Sequence, residues 1–541
     1  MADVNEGLGG LTLLERAVSI VSPKRAKEMA FTRFGVGLGA GQFSGARHSK
    51  TWAKKWTPRA GSADADSIGD LQTLRSRSRD LGRNAPIARG ARGTSKTNVV
   101  GPGLRLRAKI DRELLGITQE AAETWERRTE GLYDLWARSK MSDVARKLNH
   151  YQQQALAFTS AWDSGDVFAL RRYKEGTSFI ALCVQLIEAD RICTPPDKTN
   201  REDIRDGVEL DADGEPLAYH VLNKHPGDDA LATSYTPDDW ARIPARGQYG
   251  IPLMVHLMEN DRVGQSRGIP ALAPVIEALK QLDRYAEAEL MAAVVSAFFT
   301  VFIKSNGDDT GGTDLNTSPG GFVTGEGAGC APRNELELGS GTVAELGPDE
   351  DITIANPNRP NANFDPFFLA VIRQIGIALG IPYEVLIQHF SSSYTASKAA
   401  IETARQHFMD KRNWLATDFC QPTYEWFLYE CVARGIIDAP GYLEDPVKRA
   451  AWSGAEWIGR APIVLDAEKD ARAAELWIDL GVKTVESVTT ETTGGNWQAN
   501  QEQRGRECAL RKELDIQPAS PADPPKPGAE PADTAPNKKD E

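Results

Sequence analysis

Apolar positions recur at helical spacing over long tracts of this 541-residue chain. Leu272, Val275, Ile276, Leu279, Leu282 and Tyr285/Ala286 repeat at i, i+3, i+4 and i+7, which predicts the strongest helix within 269–303. Drawn unbroken from Ala271 to Ile303 it spans about 50 Å at 1.5 Å per residue, although its apolar end, "LMAAVVSAFFTVFI", also has the character of a strand entry. The helical period returns in "FDPFFLAVIRQIGIALGIP" and stops at Gly380 and Pro382. A second long helical region is expected from Ala396 to Val432, and "LDAEKDARAAELWIDLGVKTVESV" predicts a helix, a Gly stop and a further helix start. Earlier in the chain, Leu71, Leu74, Ser78 and Leu81 share one helical face, with Arg75, Arg77 and Arg79 around it. Residues 116–160 predict amphipathic helices containing Trp125, Leu132, Leu135, Trp136, Val144 and Leu148.

Between these helices the period shortens to two. "NVVGPGLRLR" closes a helical pattern with a Gly-Pro-Gly turn and enters an alternating strand. "GDVFALRRYKEGTSFIALCVQLIEADRI" reads as two strands around a Gly turn, and "IRDGVELDADGEPLAYHVLNKHP" as a hairpin turning at Asp211-Ala212-Asp213-Gly214. Some 60 residues rich in Gly, Asp, Asn and Pro separate the two helical tracts that end near 303 and begin near 364, predicting a small inserted lobe. The end, "DIQPASPADPPKPGAEPADTAPNKKDE", is expected to be disordered. No fixed-period repeat is present, and the fold class is α+β.

Composition adds constraints. With 41% apolar and 26% charged residues the chain has the make-up of an ordinary soluble protein of two to four lobes. No apolar run reaches the ~18 residues a membrane helix needs, and the acidic N-terminus does not read as a signal peptide. The six cysteines are scattered without a C-x-x-C pair, so they are expected to be reduced. The net charge of −13 is uneven: about 20 basic against about 8 acidic side chains fall in the first 110 residues, leaving an acidic remainder. Trp52, Trp56, Trp414, Trp426 and Trp457 are candidate subunit-interface residues.

The catalytic patterns tested are missing. There is no G-x-x-x-x-G-K-[ST] phosphate loop and no G-x-S-x-G elbow. The near miss is Thr395-Ala-Ser-Lys398, a Thr where the Ser-x-x-Lys nucleophile would stand, and its partner motifs do not follow. The seven histidines are not spaced to join the cysteines around zinc. The expectation is no catalytic residue, no cofactor and no metal. The two carboxylates Asp211 and Asp213 are read as hairpin residues.

Six stretches, in order, carry a resemblance over about residues 65–515: "LRSRSRDLGRNAPIARGARGTSKTNVVGPGLRLR", "GDVFALRRYKEGTSFIALCVQLIEADRI", "GVELDADGEPLAYHV", "HLMENDRVGQSRGIPALAPVIEALKQLDRYAEAELMAAVVSAF", "LGIPYEVLIQHFSSSYTASKAAI" and "LDAEKDARAAELWIDLGVKTV". Together they resemble the lambda family of phage portal proteins. The resemblance implies a homo-oligomeric ring, a dodecamer, at the capsid vertex of a virion made in a bacterial cytoplasm. Double-stranded DNA would pass its bore without sequence preference. The terminase large subunit, the major capsid and scaffold proteins and the head–tail connector would be partners, and no membrane would be involved. It also implies a layout: a flexible basic arm (1–64), a β-rich wing (65–268), stem helices (269–303 and 364–382) around an inserted clip (304–363), a tunnel loop (383–397), a long wing helix region (398–459), a helical crown (460–515) and a disordered tail (516–541). The channel residues would be Gln388, His389, Ser391, Ser392, Ser393, Tyr394, Thr395, Lys398 and Arg405. The serines also suit a helix N-cap, and Lys398 and Arg405 suit subunit bridges equally well. A different head–tail connector protein and a DNA-processing enzyme are the alternative readings.

Overall fold

The computed structural model describes residues 60–228, 235–297, 301–305, 350–354, 363–390, 393–461 and 466–515, together with Thr51, Trp56 and Pro58. The chain divides between Ser62 and Ala63, and every helix and strand named here belongs to the larger part. Nearly all of the expected arm, most of the expected clip and the expected tail lie outside the described residues.

Helix α1 (Ala63–Asn84) runs through Ala85 into α2 (Pro86–Val99), with proline at the first helical position of α2, where its missing N–H is not needed. After the Gly-Pro-Gly turn, β1 (Arg105–Ala108) alternates exposed and buried as its pattern predicts. Helices α3 (Gln119–Arg138) and α4 (His150–Ser164) follow. Val144 and Leu148 are not helical, because the Asp143 carboxylate captures the N–H groups of Ala145, Lys147 and Leu148 and turns the chain. Asn149 then starts α4 with a reciprocal capping box to Gln152.

Strands β2 (Asp166–Tyr173) and β3 (Leu182–Glu188) form the expected antiparallel pair, extended by β7 (Met254–Met258) in the order β3-β2-β7. A second antiparallel sheet holds Ile204–Arg205, β4 (Val208–Leu210), β5 (Pro216–Leu222) and β6 (Trp240–Pro244). Its hairpin turns at the predicted residues: the Asp211 carboxylate accepts from Asp213 and Glu215 N–H at 2.9 and 2.7 Å, and Gly214 takes φ +88°.

The strongest predicted helix is α5 (Ile276–Ala297), after a short 3-10 turn at Ala273–Val275. It does not reach Ile303: β8 (Val301–Ser305) pairs antiparallel with β9 (Glu350–Ile354), so the β-branched and aromatic end of the run is a strand. Helix α6 (Phe364–Leu379) packs against α5 and stops at Gly380, which adopts φ +67°. Helices α7 (Tyr394–Leu415) and α8 (Gln421–Ala433) are joined without a break by a π-helical turn at Ala416–Cys420. Strand β10 (Ala455–Ile458) returns to pair with β1. Helices α9 (Ala467–Asp479), α10 (Val485–Thr493) and α11 (Trp497–Glu513) close the described chain and contain no buried residue.

The main core gathers around Tyr133, whose ring lies 5.3 Å from Phe427, 5.5 Å from Trp136 and 5.7 Å from Tyr424. Trp426 belongs to this core and is fully buried, its indole N–H donating to Pro252 O at 2.7 Å, so it is not an interface residue. α8 is buried on nearly all sides, which leaves no exposed face for a tryptophan there. Trp414 and Trp457 are half-buried and donate to Met258 O and Gln421 Oε1, Trp56 is exposed, and Trp52 lies outside the described residues.

A buried ionic knot ties these layers together. Asp166, at the start of β2, accepts from Arg267 Nε (2.7 Å), Gly268 N (3.2 Å), His256 Nε2 (3.2 Å) and Arg75 Nη2 (3.3 Å). Arg267 spends its other donors on Ile192 O, Ala189 O and Asp206. Arg75, placed by its spacing beside the apolar face of α1, is therefore itself buried. The knot brings the backbones of Gly165 and Gly268 into contact; a Cβ on Gly268 would lie 2.1 Å from Gly165 O, so only glycine fits. Arg267 stands nine residues before α5, and its anchoring fixes where that helix leaves the body.

Candidate nucleic-acid interface

The candidate site is the connection from α6 to α7 and the first turns of α7. Gly380, Ile381 and Pro382 turn the chain out of α6 into the short helix Tyr383–Leu386. Gln388 then adopts φ +56°, a left-handed conformation uncommon for a residue with a side chain. His389 N–H closes this turn onto Glu384 O at 3.1 Å. Gln388, His389 and Phe390 are all exposed. Ser391 and Ser392 lie outside the described residues. Ser393 is the N-cap of α7, its hydroxyl accepting from Ala396 N–H, so the capping role that its residue type allows is realised.

Helix α7 buries Ala404, Phe408, Arg412 and Leu415, one residue per turn, and nothing before Ala404. Its first two and a half turns therefore project from the body, carrying Tyr394, Thr395 and Lys398 exposed. Arg412 anchors the other end: its guanidinium donates to Val99 O at 3.0 Å and to Asn98 O at 2.8 Å, clamping α7 to the end of α2. Beneath the projecting turns lies a cavity of about 730 Å³, lined by Phe390, Tyr394, Ile401, Phe408, Met409 and Trp457.

Both candidate cations are paired within the chain. Lys398 Nζ lies 3.6 Å from Asp470 on α9, and Arg405 donates to Glu402 one turn back at 3.2 Å. The second pairing is visible in the sequence as an i, i+3 spacing. The first joins residues on different helices and has no local signal. The outer surface thus offers hydroxyls and an aromatic ring, with its positive charge already partly neutralised. Such a surface exchanges hydrogen bonds with a phosphate chain without gripping it. Thr395 and Lys398 both face outward, and no buried acid–base chain joins them among the described residues.

Glu188, Asp190 and His225 bring three ligand atoms within 4.8 Å. His225 Nδ1 accepts from Gly227 N–H at 2.9 Å, however, so the ring's proton sits on Nε2, which faces Glu188 at 3.1 Å. A protonated nitrogen has no lone pair for a metal, and Asp190 is taken by Arg79. The group is a cluster of neighbouring polar side chains, with Glu188 beside His225 and Asp190 held by Arg79. Cys183, Cys193, Cys420, Cys431 and Cys508 are all unpaired thiols. Among the described residues no helix is long and apolar enough to cross a membrane.

The family model for phage portal proteins, lambda family, matches residues 49–412. The portal protein of Escherichia phage N15 is 26% identical to this chain over 489 residues, covering 86% of it and 89% of that protein. Portal protein B of Escherichia phage lambda is 24% identical over 481 residues, again covering 86% and 89%. Among solved structures, a chain from the virion of a native gene transfer agent particle is similar with a TM-score of 0.42 at 14% identity, covering 78% of this chain and 94% of that one.

Proposed function

The chain belongs to the lambda family of phage portal proteins, and from that premise we propose that it acts as one subunit of a dodecameric ring at the capsid vertex, through which duplex DNA is packaged and later ejected. The terminase large subunit drives DNA through the ring, scaffold and major capsid proteins surround it, and the head–tail connector attaches to it afterwards. In this reading residues 65–268 and 398–459 form the wing. α5 and α6 form the stem, with residues 304–363 between them as the clip where terminase and connector dock. Residues 460–515 form the crown and 383–397 the tunnel loop. The ring works by geometry and weak contact, without a reactive centre.

The observation that carries the reading is the projecting start of α7. Duplex DNA presents a phosphate about every 1.7 Å of axis, and a cuff of free Lys and Arg would hold it by counterion release. Ser393, Tyr394 and Thr395 offer short-lived hydrogen bonds instead, and Lys398 and Arg405 are held by Asp470 and Glu402. The acidic balance of the chain repels the duplex and keeps it centred in the bore. Negative-stain images and sedimentation of the purified full chain test the proposal. Rings with a central hole, without ATPase or nuclease activity, are expected. A lone subunit at every concentration and salt, or cleavage of DNA, would overturn it.

A further inference from the structure

Between Asp80 and Asp111 the chain has no acidic residue and seven cations: Arg83, Arg89, Arg92, Lys96, Arg105, Arg107 and Lys109. The fold employs three of them. Arg92 pairs with Asp163, Arg107 with Glu486 and Lys109 with Glu456. Arg83, Arg89, Lys96 and Arg105 are exposed, with no ion-pair partner among the described residues.

Two of the four share one face of α2. Arg89 and Lys96 are seven residues apart, which places them on the same side of the helix and about 10.5 Å apart along its axis. That is close to three nucleotide steps of about 3.4 Å on one DNA strand. The buried stripe, Ala88, Ala91, Ser95 and Val99, lies about a quarter turn round the helix from the two cations, and both cations are exposed. Gly93 lies between the two cations with open space where a side chain would be, allowing close approach. Arg83 continues the positive charge one turn before α2 begins. Helix stabilisation does not account for the arrangement. Arg89 sits near the positive end of the macrodipole, and α2 has neither an acid in its first turn nor a side-chain cap.

We propose that the Arg89–Lys96 face of α2, with Arg83, binds the phosphate backbone of duplex DNA, as a gripping surface separate from the slippery start of α7. The proposal rests on the reading that this protein handles duplex DNA. The two surfaces belong to one block, because Arg412 clamps α7 to the carbonyls of Asn98 and Val99, and α2 packs on the short helix Tyr383–Leu386. The alternative occupant, an acidic face of a second copy, makes the opposite prediction for assembly.

The test uses the assembled full-length protein and a short fluorescent duplex, with binding measured by anisotropy across a salt series. For Arg89→Gln/Lys96→Gln, rings and melting temperature should be unchanged. The slope of log K against log salt should become shallower by about 0.9 per cation removed, and binding at 0.1 M salt should weaken by about tenfold or more. An unchanged slope in intact rings would overturn the proposal. So would dissociation of the rings, which would assign the face to a neighbouring copy. Wild-type rings that bind no duplex at any salt would also overturn it while leaving ring formation itself standing.

Discussion

Asp166 shows how much one side chain organises here. Burial alone would raise the pKa of its carboxyl, but Arg267, His256 and Arg75 outweigh burial and hold it well below the usual carboxylate range. The same contact works in reverse on Arg267: burial disfavours its charge, and Asp166 and Asp206 more than restore it. A group whose pKa is depressed in the folded state stabilises the fold above its unfolded pKa, about 3.9 for Asp. The contribution of Asp166 is therefore complete at neutral pH and is lost as pH falls below about 4. Removing one partner leaves a buried charge uncompensated, so Arg267→Met should cost about 3–5 kcal/mol. Asp166→Asn/Arg267→Met together should cost less than the sum of the single changes. Denaturant or thermal unfolding measures both, and a single change within about 0.5 kcal/mol of wild type would refute a stabilising knot. None of this was legible locally. Arg75, Asp166, His256 and Arg267 are spread over some 190 positions, and each alone looks like a surface residue.

At the scale of elements, periodicity located most helices because burial on one face repeats with the helix itself. α1, α5 and α6 fall where their apolar stripes predict, and α7–α8 fills the expected helical tract, although α8 is buried all round and has no single stripe. The misses have local polar causes or a change of period. Asp143 unwinds the stretch holding Val144 and Leu148, and the run beyond Ala297 passes into a strand. The start of α7 carries its own prediction. Replacing Ser391, Ser392 and Ser393 by Lys should leave rings assembled but impair DNA packaging, because the loop would then hold phosphate. In the anisotropy assay its salt dependence should become steeper, opposite to that of the α2 variant. Normal packaging by this variant would mean that the loop does not touch DNA. The hydroxyl character of the site and the Glu402–Arg405 pair could be read from spacing. The Asp470 partner of Lys398 and the cavity under Phe390 and Tyr394 could not, since they depend on how α9 and β10 return to α7.

Over the whole molecule, stability is distributed unevenly. A single core holds α1 to α8, whereas α9, α10 and α11 bury no residue, and Leu476, Trp477, Leu480 and Val482 stand exposed. Short helices without a buried face are marginal in water. Limited proteolysis of the unassembled chain should therefore cut within 466–515 before it cuts the body, and assembly should protect this region. Equal resistance of both regions in the free chain would count against that. The sequence by itself determined most of the helices, the β2–β3 pair, the Asp-Gly hairpin, the glycine stops and the absence of familiar catalytic patterns, because these follow from periodicity and local backbone preference. Tertiary structure alone decided that Trp426 lies in the core, that Arg75 is buried, and that Lys398 and Arg405 are paired while Arg89 and Lys96 have no ion-pair partner among the described residues. Those outcomes depend on which distant side chains meet, and neither residue type nor spacing encodes that meeting.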